Sequence, residues 1–141
     1  MENSASFNYK IPGDTLKEDI INSAQGKTTW QKIYLHLKRQ GFDVYSIGQK
    51  EDICEKSYIV IKEKGIFATN GNVAGYALFD VIIYHPKDHY STMEFYIKDV
   101  KKALKEFKNI TFSGSQTPII LDEKLAAYTT RIQYKQFKRL R

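Results

Sequence analysis

A chain of 141 residues, 42% hydrophobic and 27% charged, suits one domain with one core. That balance excludes a disordered chain, and no apolar run approaches the ~20 residues that a spanning helix needs. A formal net charge of +6 permits an acidic partner, nucleic acid included, although the basic residues are mostly spread along the chain.

Residues 1–27 read as an N-terminal arm that packs partly on its own domain and partly on a neighbour. Their start lacks the charged opening and apolar stretch of a signal peptide. Pro12-Gly13-Asp14 marks a turn, and Leu16, Ile20 and Ile21 fit a short helical turn with Thr15 and Glu18 as its capping box. Residues 28–141 read as the domain proper. Thr28 or Thr29 can cap a first helix on which Trp30, Ile33, Tyr34 and Leu37 form one apolar stripe, stopped at Gly41.

Residues 42–47 then predict a strand, and 48–56 a polar loop. Tyr58-Ile59-Val60-Ile61 opens a second strand running toward Gly65, and Asn70-Gly71 is the strongest hairpin signal in the chain. The third strand, residues 73–84, is apolar on both faces. Tyr76, Leu78, Ile82 and Tyr84 share one face with Asp80; Ala77, Phe79, Val81 and Ile83 share the other. Such a strand needs cover on both sides: helices can supply one, and a second layer or another subunit must supply the other.

His85-Pro86 ends that strand. Ser91 or Thr92 can cap a second helix, with Glu94 completing a box from Ser91, and its stripe is Met93, Tyr96, Ile97, Val100, Leu104 and Phe107. Lys98, Lys101, Lys102, Lys105 and Lys108 lie opposite that stripe. Residues 110–125 are rich in turn formers, with Ile119-Ile120-Leu121 as a short edge strand or packed loop. Residues 128–137 alternate as a half-exposed antiparallel strand, with Tyr128, Thr130, Ile132 and Tyr134 on one side. The expected fold class is α+β: a small mixed or antiparallel sheet packed by two main helices, in a single domain.

The chemistry-bearing residues do not assemble into a catalytic set. His85 and His89 with Asp88 make a conceivable metal group, but Pro86 works against a helix there and no further ligand is placed. Asp80, an acid within an apolar strand, is either a catalytic carboxylate or an interface acid paired with a lysine or arginine; without a second carboxylate the pairing is preferred. Cys54 has no evident histidine partner and cannot form an internal disulfide, which fits a reducing compartment. Ser113-Gly114-Ser115 is not a nucleophile elbow, and no glycine loop sits between a strand and a helix start. Asn109-Ile110-Thr111 matches the glycosylation sequon, with nothing else pointing to secretion.

Tyr76, Tyr84, Tyr128 and Tyr134, all on predicted strands, join Asp80 as candidate interface residues, because tyrosine suits surfaces that become interfaces. Lys98, Lys101, Lys102 and Lys105, with Lys138, Arg139 and Arg141 at the end of the chain, form the candidate basic surface, equally readable as solvated residues.

Taken together, several stretches resemble the tail terminator (tail completion) proteins of long-tailed bacteriophages. They are the amphipathic helix of 30–40, Gly41-Phe42-Asp43-Val44-Tyr45, and Cys54-Glu55-Lys56-Ser57-Tyr58-Ile59-Val60-Ile61-Lys62. They continue with Phe79-Asp80-Val81-Ile82-Ile83-Tyr84-His85-Pro86, the helix of 93–107 and the closing strand of 128–137. The resemblance spans about residues 28–137 and lies in order, length and texture rather than in one signature. It implies a homohexameric ring on the head-proximal end of the tail tube. That ring ends tube polymerisation and offers a surface to the head–tail connector protein. It implies partners in the tube protein and the connector, DNA only as passing cargo, no membrane, no cofactor and no catalytic residue. The protein would be assembled in the bacterial cytoplasm and reside in the virion. No family motif maps onto single positions. Another head–tail joining or neck protein, or a small basic nucleic-acid-binding protein, remains as an alternative reading.

Overall fold

The computed structural model describes residues 26–140. Most of the expected arm, including its turn at Pro12 and its helical turn at Leu16, Ile20 and Ile21, lies outside them, as does Arg141. Helix α1, Thr29–Arg39, begins with a reciprocal cap. The Gln31 backbone N–H donates to the Thr28 hydroxyl at 3.2 Å, and the Thr28 N–H donates to the Gln31 side-chain oxygen at 2.9 Å. The helix ends ahead of Gly41, whose φ of +93° is the left-handed stop. Ile33, Tyr34 and Leu37 are fully buried, and the Trp30 indole N–H donates to the Ile61 carbonyl at 3.0 Å, fastening the helix across the sheet.

Strand β1 is only Val44–Tyr45, shorter than the predicted 42–47. Phe42 leaves the strand to pack edge-on against Tyr96, and the Ser46 N–H is taken by the Gln49 side chain at 2.9 Å, so pairing stops there. Strand β2, Tyr58–Ala68, runs antiparallel to β3, Ala74–Pro86, with a bulge between Glu63 and Ile66. Their hairpin turns through Gly71 at φ +77° and Asn72 at φ +53°. Helix α2 is Met93–Lys105. The Ser91 capping box does not form: Thr92 is the cap residue, and its hydroxyl donates back to the His89 carbonyl at 2.9 Å instead of bonding the helix.

Strands β4, Thr111–Gln116, and β5, Ile120–Asp122, lie one after the other along the outer edge of β6, Ala127–Arg139. The chain from Thr111 to Gln116 reads as turn, yet it pairs because an edge strand tolerates disruption. Gly114 at φ +95° and a register shift between Phe112 and Gln116 accommodate its turn formers. Strand β6 pairs with β3 along its whole length, from Ala74 opposite Arg139 to Pro86 opposite Ala127. The mixed sheet runs β1-β2-β3-β6-β4, with β1 parallel to β2 and the other pairs antiparallel. This is the expected α+β domain.

Both helices lie on one face. Ile59, Ile61, Phe79, Val81, Ile83 and Ile132 point into them and meet Met93, Val100 and Leu104. On the opposite face, Tyr58, Val60 and Ile82 gather under Cys54, Leu125 and Tyr45. The loop carrying Cys54 is tied down by its N–H bonding the Leu125 carbonyl at 2.8 Å. Part of the second cover that the two-sided strand demands is therefore supplied by the chain's own loop. That cover is confined to the Pro86 end of β3.

Candidate assembly surface

At the hairpin end, the face turned away from the helices carries a row of aromatic side chains. Register places Phe67 on β2 and Phe137 on β6 on either side of Tyr76 on β3. Phe67 and Phe137 are each 65% exposed, and Val73 stands exposed at the adjoining turn, whereas Ile66, paired with Ala77, is exposed on the opposite face. Phe137 meets Tyr76 edge-on at 6.1 Å, and the Lys135 ammonium sits 4.7 Å over the Tyr76 ring. Rings held this way are oriented yet largely wet, which is how an unpartnered contact surface looks.

Close strand approach builds this end. A Cβ placed on Gly75 would collide with the Phe67 carbonyl oxygen and lie 3.0 Å from the Ala68 Cα, so only glycine lets β2 and β3 meet here. The outer edge of β2 pairs with β1 only at Ile59 and Val60, and β4 pairs with β6 no further along than Lys135. Beyond those points, both edges of the hairpin end lack a strand partner among the described residues. The bulge, Lys62, Glu63 and Lys64 discourage sheet addition next to it, but Ile66 and Phe67 carry no such guard.

Asp80 sits midway along the same face, 3% exposed. Its carboxylate lies 3.7 Å from the Arg131 guanidinium and 3.9 Å from the Lys64 ammonium, both on side chains that are roughly half exposed. This is the paired-acid arrangement, enclosed within the chain's own strands.

Of the four tyrosines, only Tyr76 reaches the open end. Tyr84 is half-buried and stacked on Tyr58 at 4.7 Å, and burial, with Asp122 nearby, raises the pKa of its hydroxyl. Tyr128 is half-buried with Tyr90 at 4.7 Å. Tyr134 cannot serve as an interface residue: it is 4% exposed within the helix-side core beside Phe112, and burial pushes its hydroxyl pKa up to about 12. Its even-numbered position on β6 puts it on the face that α2 covers. The residues that sequence reasoning missed are Phe67 and Phe137. The available signal was their place near the ends of paired strands, after the apolar alternation had given way to charge.

At the other end of this face lies an open groove of about 540 Å³, walled by Ile82, Tyr84, Pro118, Ile120 and Leu121. Ile120 is 60% exposed. Asp122, Glu123, Lys124 and Arg131 also line it, so its charge is mixed.

The predicted basic surface divides in two. On α2, Lys98, Lys102 and Lys105 are exposed, but Glu94, Asp99 and Glu106 are exposed among them, and Lys101 folds over the Phe112 ring at 5.3 Å. That helix face is of mixed charge. Arg139 is exposed and Lys138 half-buried at the hairpin end, close to Lys135.

The remaining reactive side chains are tied up locally. His85 is 6% exposed; the Ser57 hydroxyl lies 2.6 Å from Nδ1, and Nε2 lies 2.8 Å from both the His89 carbonyl and the Thr92 hydroxyl. With Nε2–H donating to the carbonyl, Nδ1 accepts from Ser57, and the ring pins the end of β3 to the following turn. Burial lowers the His85 pKa. Cys54 is buried, its thiol donating to the Lys56 carbonyl at 3.3 Å, and burial pushes its pKa up to about 11. That suppresses the thiolate a nucleophile requires. Among the described residues, no group of three His, Cys, Asp or Glu side chains is placed to hold a metal ion, and no helix is long and apolar enough to cross a membrane.

Compared with known proteins, the chain matches no family model and none of the curated proteins.

Proposed function

We propose that this chain is a structural assembly protein of a bacteriophage or phage-tail-like particle. It forms a homohexameric ring that caps the head-proximal end of the tail tube, ends tube polymerisation and joins tail to head. The observation that carries this reading is the open end of the sheet, where Phe67, Tyr76 and Phe137 line up on three strands without cover. The family resemblance in the order and texture of the elements supports it. Such a surface is made for contact, and the side chains around it offer no acid–base or nucleophilic set.

The mechanism is geometric. Copies close into a ring through contacts between unlike surfaces. One ring face engages the last ring of the tube protein, and the other presents a surface to the connector that no further tube subunit can use. DNA passes through the lumen as cargo, so basic side chains there bind it only weakly. No cofactor is required.

The test is tube-length control. Tube protein polymerised with increasing amounts of this chain should give shorter tubes carrying a cap at one end. An unchanged length distribution, with the chain absent from tube ends, would remove the reading. The second reading, a small basic nucleic-acid-binding protein, draws on Lys135, Lys138 and Arg139 gathered at one end. It requires DNA binding that falls steeply with salt and is lost when those residues are neutralised.

A further inference from the structure

The proposed ring leaves the lysines of α2 without a role. Their surroundings sort the mixed charges of that helix onto two flanks. On one flank Asp99 and Glu106, with Lys102, line a recess against Gly41 and Phe42. On the other, two recesses of about 320 Å³ each form a cleft between α2 and the segment Ile110 to Ile119, and they share Lys101. Lys101 and Lys105 line the first, together with Leu104, Ile110, Phe112 and Tyr134. Lys98 and Lys101 line the second, beside Ile97 and Ile119. Glu94, in the first turn of α2, is the one acid lining either recess. Lys98, Lys101 and Lys105 enter no ion pair among the described residues. Their spacings along the helix put them on one side of it, where like charges repel.

We infer that this cleft docks an acidic segment of a partner protein, with carboxylates on Lys98, Lys101 and Lys105 and apolar side chains in the two recesses. From Lys98 to Lys105 is roughly 10 Å along the helix, a distance that about three extended residues span. A carboxylate between neighbouring lysines relieves their repulsion, and the apolar walls supply an anchor that charge alone does not. Strand β4 is the last in the sheet order, and its outer edge carries no strand among the described residues, so its backbone groups are open to pair with a peptide. The turn through Gly114 and the register shift confine such pairing to a short stretch. A nucleic acid gains less here. The Phe112 ring already lies under the Lys101 ammonium at 5.3 Å, and a recess walled by Leu104 and Ile110 offers nothing to a phosphate. The inference goes beyond the proposed ring and does not rest on it.

The probe is a displayed library of random peptides, selected on the full chain. Selected peptides should be rich in Asp and Glu with Leu, Ile or Phe among them, and their binding should weaken as salt rises. Lys98→Gln/Lys101→Gln/Lys105→Gln should weaken a selected peptide at least about tenfold, a change of about 1.4 kcal/mol. Gln116→Glu sets a carboxylate of the chain's own beside Lys98 and Lys101, and it should also weaken the peptide while every lysine remains. Lys102→Gln, on the other flank, should leave binding unchanged, which separates the cleft from net charge. The substituted side chains are exposed or half-buried, and circular dichroism checks the fold of each variant. A selection that yields no peptide, or peptides without an acidic bias, would overturn the inference. So would peptides that bind the triple variant and Gln116→Glu as tightly as the wild type. Binding of single-stranded DNA or of phosphatidylserine vesicles that is lost in the triple variant, with no acidic peptide selected, would also overturn it and give the lysines a phosphate-bearing partner instead.

Discussion

Asp80 offers the sharpest energetic test, because its two sides are unequal. The carboxylate is 3% exposed, whereas the Arg131 and Lys64 side chains that meet it at 3.7 and 3.9 Å are 51% and 41% exposed. In Asp80→Asn the two cations extend into water and remain solvated. The loss is then only the net worth of two partly exposed pairs, about 1–2 kcal/mol in total. In Lys64→Met/Arg131→Met the acid is left charged in an enclosed site without its counter-charges, at a cost of about 3–5 kcal/mol. Adding Asp80→Asn to that pair should return most of the loss, since it removes the stranded charge. The assay is urea unfolding of dilute protein, with midpoints compared at unchanged slope. If Asp80→Asn costs as much as the double replacement, or if the triple variant recovers nothing, Asp80 is not held by charge pairing and the reasoning fails.

Three further outcomes follow from particular contacts. Gly75→Ala should cost about 1–3 kcal/mol by forcing β3 off the Phe67 carbonyl, and amide exchange should show opening confined to the hairpin end; retention of full protection there would contradict the close approach. The buried hydroxyls of Tyr58 and Tyr96 have no hydrogen-bond partner among the described residues, so Tyr58→Phe and Tyr96→Phe should be neutral or stabilising by about 1 kcal/mol in thermal unfolding. For His85, burial lowers the folded pKa below the unfolded value near 6.5, so below that pH the unfolded chain holds more protons. Stability should be full above about pH 6.5 and fall as pH drops toward the folded pKa, by at most about 1.4 kcal/mol per pH unit from this group, and His85→Gln should flatten that part of the profile.

Much of the framework is legible in the chain because local signals and tertiary demands agree there. Thr28 and Gln31 write the start of α1, Gly41 its stop, and the alternation through Phe79, Val81 and Ile83 the helix-side face of β3. Elsewhere neighbours decide. Phe42 and Ser46 are drawn out of β1 by Tyr96 and Gln49, and the turn formers of β4 become strand only because β6 offers an edge. The site is less legible than the fold. Alternation assigns Tyr134 and Tyr76 to strands equally, but it cannot say that α2 lies over one of them and nothing in the described chain over the other. Nor does it show that β2 continues beyond Gly65, which is what sets Phe67 beside Tyr76 and, across it, Phe137.

The most direct measurement is the solution mass of the purified chain by light scattering, with negative-stain images of any large species, alone and with tail tube protein. A closed ring of six with a central hole, present alone or at tube ends, is the predicted result. A chain that remains monomeric well above micromolar concentration, and stays so with tube protein present, would contradict the account.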